Sequence, residues 1–334
     1  MAERNLFIKI GSFLIGLIII LLAVILSIRF GANDITYSTI WKSIFQYDAS
    51  DSNHILIHQL RIPRAIAAIF VGAALAVSGA IMQGVTRNAL ASPSIMGVTA
   101  GATFFVAIVF AIFRDPSYSA IVIGALVGAG LGVGLVFLFT SIAKGGITPV
   151  KLALAGSAIT SLLSALSTAI GLKFDISKDM SYWYAGGLSS IQPIHVQIAV
   201  PLISGGIILA ILLSRSISVA SLGDEVAKGL GLKTNFVRIL STIAVLILTG
   251  TAVSIAGMIG FVGLIVPHIV RIIVGVDYRW IIPMSAIFGG ALLLVADIVG
   301  RVINDPFETP AGAVTALIGV PFFLYLARKD GRGL

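Results

Sequence analysis

The sequence predicts an all-α membrane protein, a polytopic bundle of about ten transmembrane helices. Of its 334 residues, 58% are hydrophobic and 11% are charged, less than half of the about 25% charge that keeps a soluble domain solvated. The apolar residues fall into ten stretches, most close to the ~20 residues that cross a bilayer as helix. Glycine is frequent, at 36 residues, which suits helices whose backbones approach closely. Helices are required because an open strand edge in lipid leaves backbone groups unpaired at several kcal/mol each.

The spans run roughly from Leu6 to Ile28, Pro63 to Met82, Ser94 to Phe113, Ser119 to Ala143, and Val150 to Leu172. The second five run from Ile194 to Leu213, Asn235 to Ala256, Met258 to Val274, Trp280 to Val299, and Gly312 to Ala327. Arg4 and Lys9 precede the first stretch. It is longer than a signal-peptide core and lacks a small-x-small cleavage site, so it reads as a retained span. The whole chain, 1–334, forms one transmembrane domain, with halves at about 6–172 and 194–327 and a long loop at 215–234.

Two patterns bear on topology. The second span reads Gly72-Ala-Ala-Leu-Ala-Val-Ser-Gly79, and the seventh reads Gly250-Thr-Ala-Val-Ser-Ile-Ala-Gly257. They are five spans apart, an odd number, so the sequence predicts two inverted five-helix repeats, an arrangement common in transporters. Most of the 22 lysines and arginines fall in one set of loops, among them Arg87, Lys144, Lys151, Arg215, Lys228, Lys233, Arg328 and Arg332. The positive-inside rule puts those loops and both termini in the cytoplasm. The net charge of +8 reflects those loops and not a nucleic-acid surface, since no basic run interleaves with aromatics. In the fourth span Gly124, Gly128 and Gly132 make a flat face for helix packing.

There is no cysteine, which excludes disulfides, thiolate metal sites and cysteine nucleophiles. His54, His58, His195 and His268 form no metal-ligand set and read as structural or solvated. No nucleophile–base constellation occurs, so this chain is not an enzyme. Asp297 is the one acidic residue placed inside a span. It lies one helical turn before Arg301, and the two can pair.

The long loop contains Ser221-Leu-Gly-Asp-Glu-Val-Ala-Lys-Gly-Leu-Gly231. Ser221 and Asp224 have capping-box spacing. Glu225 and Lys228 complement a helix dipole, and Gly229 and Gly231 are stop signals. A helix of about two turns follows, too short to stand alone in water. It packs on its own spans or is gripped by another protein. In the fifth span Ser157, Ser161, Ser164 and Thr168 share one face, widened by Thr160 and Ser167. That stripe faces either neighbouring helices, as hydrogen-bonding glue, or water.

Taken in order, these segments resemble the iron–siderophore, haem and vitamin B12 permease family of ABC importers. The resemblance rests on Arg61-Ile-Pro-Arg64, Gly72 to Gly79, Arg87-Asn-Ala-Leu-Ala-Ser-Pro93, Gly97-Val-Thr-Ala-Gly101 and Ser221 to Gly231. It continues through Gly260-Phe-Val-Gly-Leu-Ile-Val-Pro-His268, Arg271, Asp297, Arg301, Glu308-Thr-Pro310, Gly312 to Thr315 and Pro321-Phe-Phe. Ala89 and Thr309 depart from residues common in the family, proline and leucine, and affect only local loop shape.

The resemblance implies a permease subunit in a bacterial inner membrane. A second permease chain, identical or related, pairs with it. Two cytoplasmic ABC ATPases hold ATP and Mg, and this chain holds no cofactor. That agrees with the absence of a Gly-x-x-x-x-Gly-Lys-Ser/Thr phosphate loop here. A substrate-binding protein or lipoprotein delivers a ferric siderophore, or a related chelate such as haem or cobalamin.

The implied coupling loop spans Ser221, Leu222, Gly223, Asp224, Glu225, Lys228, Gly229, Leu230 and Gly231. Arg61, Arg64 and Arg301, basic residues on the outer side, become a docking patch for the binding protein. Without the resemblance they read as headgroup anchors. Asn88 and Leu90 match an inner gate, and Ser157, Thr160, Ser161, Ser164 and Thr168 line the translocation path. An ion-coupled secondary transporter is the rival reading, and it calls for buried carboxylates or broken helices at the midplane.

Overall fold

Close approach of glycines decides how the central helices sit. In the computed structural model, which describes residues 2–31, 34–113, 115–142, 149–304 and 307–330, a Cβ added at Gly72 would strike the Gly289 carbonyl. One added at Gly101 or Gly128 would strike the other's carbonyl. The glycine row at Gly124, Gly128 and Gly132 is therefore a helix-packing face, as its spacing predicts. Ala143, Lys144 and Arg332 lie outside the described residues.

The element order is α1 (Ala2–Arg29), α2 (Tyr37–Phe45), α3 (Ser52–Leu56), a π turn (Ile57–Arg61) running into α4 (Ile62–Thr86), a 3-10 turn (Pro93–Met96), α5 (Val98–Ile112), α6 (Tyr118–Ile142) and α7 (Pro149–Lys173). Then come α8 (Ser177–Ala185), α9 (Pro193–Ala220), α10 (Asp224–Gly229), α11 (Thr234–Ala256), α12 (Val262–Val274), α13 (Tyr278–Val302) and α14 (Ala311–Asp330). No strand occurs among the described residues.

Among the described residues, seven helical segments are long and apolar enough to cross a membrane, and three shorter apolar helices accompany them: Val98–Ile112, Val262–Val274 and Ala311–Leu324. Two sequence-predicted spans start late. The one placed from Ser94 becomes α-helical only at Val98, because Pro93 opens a 3-10 turn and Gly97 stands at φ 72°. The one placed from Met258 becomes helical only at Val262, after Gly257 at φ 66° and Phe261 at φ 67°. Positive φ interrupts an α-helix, and glycine adopts it at little cost. The short helices α2, α3 and α8 are absent from the hydropathy pattern because they are brief and mixed in polarity.

α4 lies at the centre, in contact with α9, α11, α12 and α13, and is buried along most of its length. α1 is peripheral and exposes Leu14, Leu17, Leu21 and Leu22. At one end of the bundle Arg87, which ends α4, lies 3.9 Å from Asp224 of α10. At that same end the Tyr278 amide, opening α13, donates to Ser218 Oγ of α9 at 2.9 Å. Asp277 caps α13 there, and its hydrogen bond from the Arg279 side chain holds its carboxyl below the ordinary range. The opposite end gathers the end of α1, the start of α4 and the end of α13.

Candidate docking, coupling and translocation surfaces

The last carbonyls of a helix have no partner within it, and they carry the negative end of its dipole. At the end of α1 two arginines meet this need. Arg61 Nη1 donates to the Ile28 and Arg29 carbonyls at 2.8 and 3.0 Å. Arg301 Nη1 donates to the Ser27 and Phe30 carbonyls at 3.0 and 3.1 Å, and its Nη2 donates to Ser27 Oγ at 2.7 Å. Both side chains are buried, at 7% exposure. A Cβ on Gly31 would fall 2.9 Å from Arg61 Nη2, so a small residue makes room for the guanidinium. Arg61, expected with Arg64 to offer its charge at the outer rim, is instead turned inward, and so is Arg301. The unpaired carbonyls of α1 draw them inward.

Asp297 is 2% exposed and takes two cations. Arg301 lies 3.1 Å away, one turn along the same helix, as the spacing predicts. Arg64 adds a fork from α4, with Nε and Nη2 on Asp297 Oδ1 at 3.1 and 2.9 Å. The outer edge of Arg64, Nη1, donates to both oxygens of Glu308 at 3.0 and 2.9 Å. Glu308 is 42% exposed on its side chain. Beside it opens a cavity of about 240 Å³, lined by Arg64, Gly187, Ser189, Glu308 and Pro310 among others. Of the arginines assigned to docking, Arg64 is the one that borders open space.

At the other end, α10 spans six residues and begins at Asp224. Its N-cap is Gly223, at φ 120°, with no side-chain cap. This corrects the reading of Ser221 as the capping residue: Ser221 closes α9, and its Oγ donates to the Ser218 carbonyl at 2.7 Å. Gly231, at φ 79°, ends the turn as predicted, its amide donating to the Lys228 carbonyl at 2.9 Å. Ala227 is buried against the body while Leu222, Val226 and Leu230 are exposed. Val226 and Leu230 lie one helical turn apart and form an apolar ridge, and Leu222 is exposed just before the helix begins. Asp224 accepts from Arg238 Nη2 at 2.6 Å, which ties α10 to α11. Glu225, Lys228 and Gly229 are exposed beside the ridge.

The hydroxyl stripe of α7 lies on the surface of the single chain. Ser157, Ser161 and Thr168 are exposed, and Thr160 and Ser164 are half-buried. Ser167 is buried and donates to the Leu163 carbonyl. Ser157 and Thr168 likewise bond to carbonyls one turn back in their own helix. Thr160 Oγ1 lies 3.5 Å from the Ser94 carbonyl, so the stripe borders the 3-10 turn before α5. Asn88 forms a turn, its Oδ1 accepting from the Leu90 amide at 2.9 Å. Leu90 packs with Leu264, Ile265 and Leu326.

The histidines serve local structure. His54 Nδ1 accepts from the Asp48 amide at 3.0 Å, and His58 Nε2 donates to the Ser43 carbonyl at 2.9 Å. His195 lies over Tyr118 with ring centroids 4.2 Å apart, and His268 meets Phe322 edge-on. Sequence reasoning does not find Glu308 as partner of Arg64 or Arg238 as partner of Asp224. Each pair joins separate helices or loops, and no periodicity signals it.

An all-helical body with several membrane-crossing helices, a buried ionic cluster at one end and an exposed helical ridge at the other defines a multi-pass membrane transport subunit. The chain belongs to the FecCD transport family, whose model matches residues 18–329. Over 319 residues it is 54% identical to the iron(3+)-hydroxamate import system permease protein FhuB of Bacillus subtilis (strain 168), covering 96% of this chain and 83% of that one. It is 35% identical over 328 residues to the hemin transport system permease protein HmuU of Yersinia pestis, covering 95% and 96%. Among solved structures, an inward-facing metal-chelate type ABC transporter is 28% identical, with a TM-score of 0.81 over 95% of this chain and 98% of that one.

Proposed function

We propose that this chain is the permease subunit of an ATP-binding-cassette importer for a ferric siderophore. The similarity to FhuB across nearly the whole chain supports the cargo class. The observation that carries the mechanism is α10. It leaves an apolar ridge of Val226 and Leu230 outside the fold, with Leu222 exposed just before it, while Asp224 fixes its base to Arg238. A ridge of that kind fits a groove on a cytoplasmic ATPase, which binds ATP and Mg. The α10 end is then cytoplasmic, with both termini, and the arginine end faces the binding protein in a bacterial inner membrane.

The ten apolar helices form one permease domain of two inverted repeats. Two pairs of contacts support relating α4 to α11, α5 to α12, α6 to α13 and α7 to α14. α4 packs on α13 as α11 packs on α6, and α5 on α7 as α12 on α14. A second permease chain covers the exposed α7 stripe, and Ser157, Thr160, Ser161, Ser164 and Thr168 border the path between the two. Asn88 and Leu90 lie at its inner end. An acidic side chain of the binding protein docks at Arg64, in the cavity beside Glu308, while Arg61 and Arg301 hold the rim in shape.

The test is ATP hydrolysis by the permease purified with its partner subunits. Ferric hydroxamate, ferric citrate, ferric catecholate, haem and cobalamin are each added with the binding protein. Stimulation by an iron–siderophore complex is expected. Stimulation by none of them, or by cobalamin alone, overturns the assignment.

A further inference from the structure

α2 is a nine-residue helix that the transport reading leaves without a role. At about 100° per residue, its side chains divide into three faces. Ile40 and Ser43 point into the protein and are buried. Ser38 and Lys42, one turn apart, are exposed and polar. Tyr37, Trp41, Ile44 and Phe45 fill the remaining arc, and all are more than half exposed. The rings of Trp41 and Phe45 touch at a tilt of 38°, with centroids 4.3 Å apart. One short helix thus has a protein face, a water face and an exposed aromatic face.

The position of α2 identifies what covers that face. α1 is a membrane-crossing helix whose exposed leucines have lipid as their solvent. α2 begins eight residues after α1 ends. Arg29, the last residue of α1, lies over the Tyr37 ring at 4.3 Å and the Phe30 ring at 5.3 Å. That contact sets Tyr37 beside the end of α1, at the depth where a membrane-crossing helix leaves the hydrocarbon. Tryptophan and tyrosine concentrate at that depth because each has an apolar ring and a polar handle. A helix lying in the interface buries its apolar face about 5–10 Å into the headgroup and acyl boundary.

We infer that α2 is an interfacial helix seated in the outer face of the bilayer, and that its partner is the lipid headgroup region. The seat is linked rigidly to the cap on α1. His58 of the π turn donates to the Ser43 carbonyl of α2, and Tyr47 packs edge-on against His58 at 4.9 Å. The π turn ends at Arg61, which holds the last carbonyls of α1. Membrane depth therefore registers the arginine end through α2, His58 and Arg61. The seat in lipid rests on the chain's crossing a membrane, and the choice of the outer face rests on the orientation proposed above.

Because the chain has no cysteine, a single label can be placed on it before the partner subunits are added, without background from the chain itself. Trp41→Cys, Phe45→Cys and Lys42→Cys are each labelled with a nitroxide in the permease, which is then assembled with its partner subunits and held in lipid nanodiscs. Leu21→Cys on α1 serves as the lipid reference. Collision with oxygen and with a water-soluble nickel chelate is read by power-saturation EPR. Labels at 41 and 45 should favour oxygen, as the label at 21 does, and the label at 42 should favour the chelate. If 41 and 45 respond as 42 does, the face is bathed in water and the inference fails. If they are shielded from both reagents, a protein covers the face, a second copy or a delivery partner, and the inference also fails.

Discussion

Arg301 donates to the Ser27 carbonyl at 3.0 Å, so the arginine near the end of α13 closes the end of α1. It reaches Asp297 at 3.1 Å in the same pose. One guanidinium therefore satisfies a helix terminus and a buried carboxylate together. Removing it strands both. Losing one partner of a buried ion pair costs about 3–5 kcal/mol. Arg301→Met should lower the thermal unfolding midpoint of the detergent-solubilised chain strongly, and Ser27→Ala should lower it by a smaller amount, of order 1 kcal/mol. Midpoints equal to the unsubstituted chain would show that the clamp carries no stability.

The outer edge of Arg64 is held by Glu308, at 2.9 Å. Any acidic side chain that docks at Arg64 has to displace that carboxylate. Glu308→Gln keeps the shape and removes the competing charge. The variant should bind the delivery protein more tightly, by several-fold, with the gain shrinking as salt screens the exposed contact. Equal or weaker binding, measured by surface plasmon resonance at two ionic strengths, would remove Arg64 from the docking site.

On α10 the ridge and the carboxylate have separable jobs. Leu230 is exposed, so Leu230→Asp leaves the permease fold intact and should abolish co-purification of the ATPase. Asp224 anchors the helix to Arg238. Asp224→Asn should leave the ATPase bound but lower transport per ATP hydrolysed. A Leu230→Asp permease that retains its ATPase and imports normally would rule out this ridge as the contact.

Along α7, Ser161 is exposed and Ser164 half-buried in the single chain. Ser161→Cys and Ser164→Cys should react with a small water-soluble thiol reagent in the assembled transporter, in at least one nucleotide state. Failure of both to react, with and without ATP, would assign the stripe to contacts between chains.

The packing of α4 on α13 is tested at Gly72, where an added Cβ meets the Gly289 backbone. Backbone cannot swing aside as a side chain does, so Gly72→Ala should destabilise by about 1–3 kcal/mol, the usual cost of overpacking. Gly134 on α6 has nothing within 4 Å of its added Cβ, and Gly134→Ala should be neutral. Similar losses at both positions would point to glycine flexibility and not to close approach.

The sequence by itself determined the helical, membrane-crossing character, the approximate bounds of the long helices, the glycine packing face on α6 and the short helix after α9. Hydropathy, small-residue spacing and cap residues act over one or two turns, and each can be read without knowing what lies alongside. The Asp297–Arg301 pair belongs to the same class, since its partners are one turn apart. Tertiary structure alone decided that Arg61 and Arg301 turn inward, because the carbonyls they satisfy belong to a helix 32 and 274 residues away in sequence. It also decided that Arg64 is shared by Asp297 and Glu308, separated from it by 233 and 244 residues. Ser221 shows the same limit at short range. Its spacing to Asp224 fits a cap, but packing ends α9 at Ser221 and leaves Gly223 to start α10. Charge and hydrogen-bonding capacity are written in the residue type. Which terminus or carboxylate uses them depends on helices brought together by burial of the apolar surface between them.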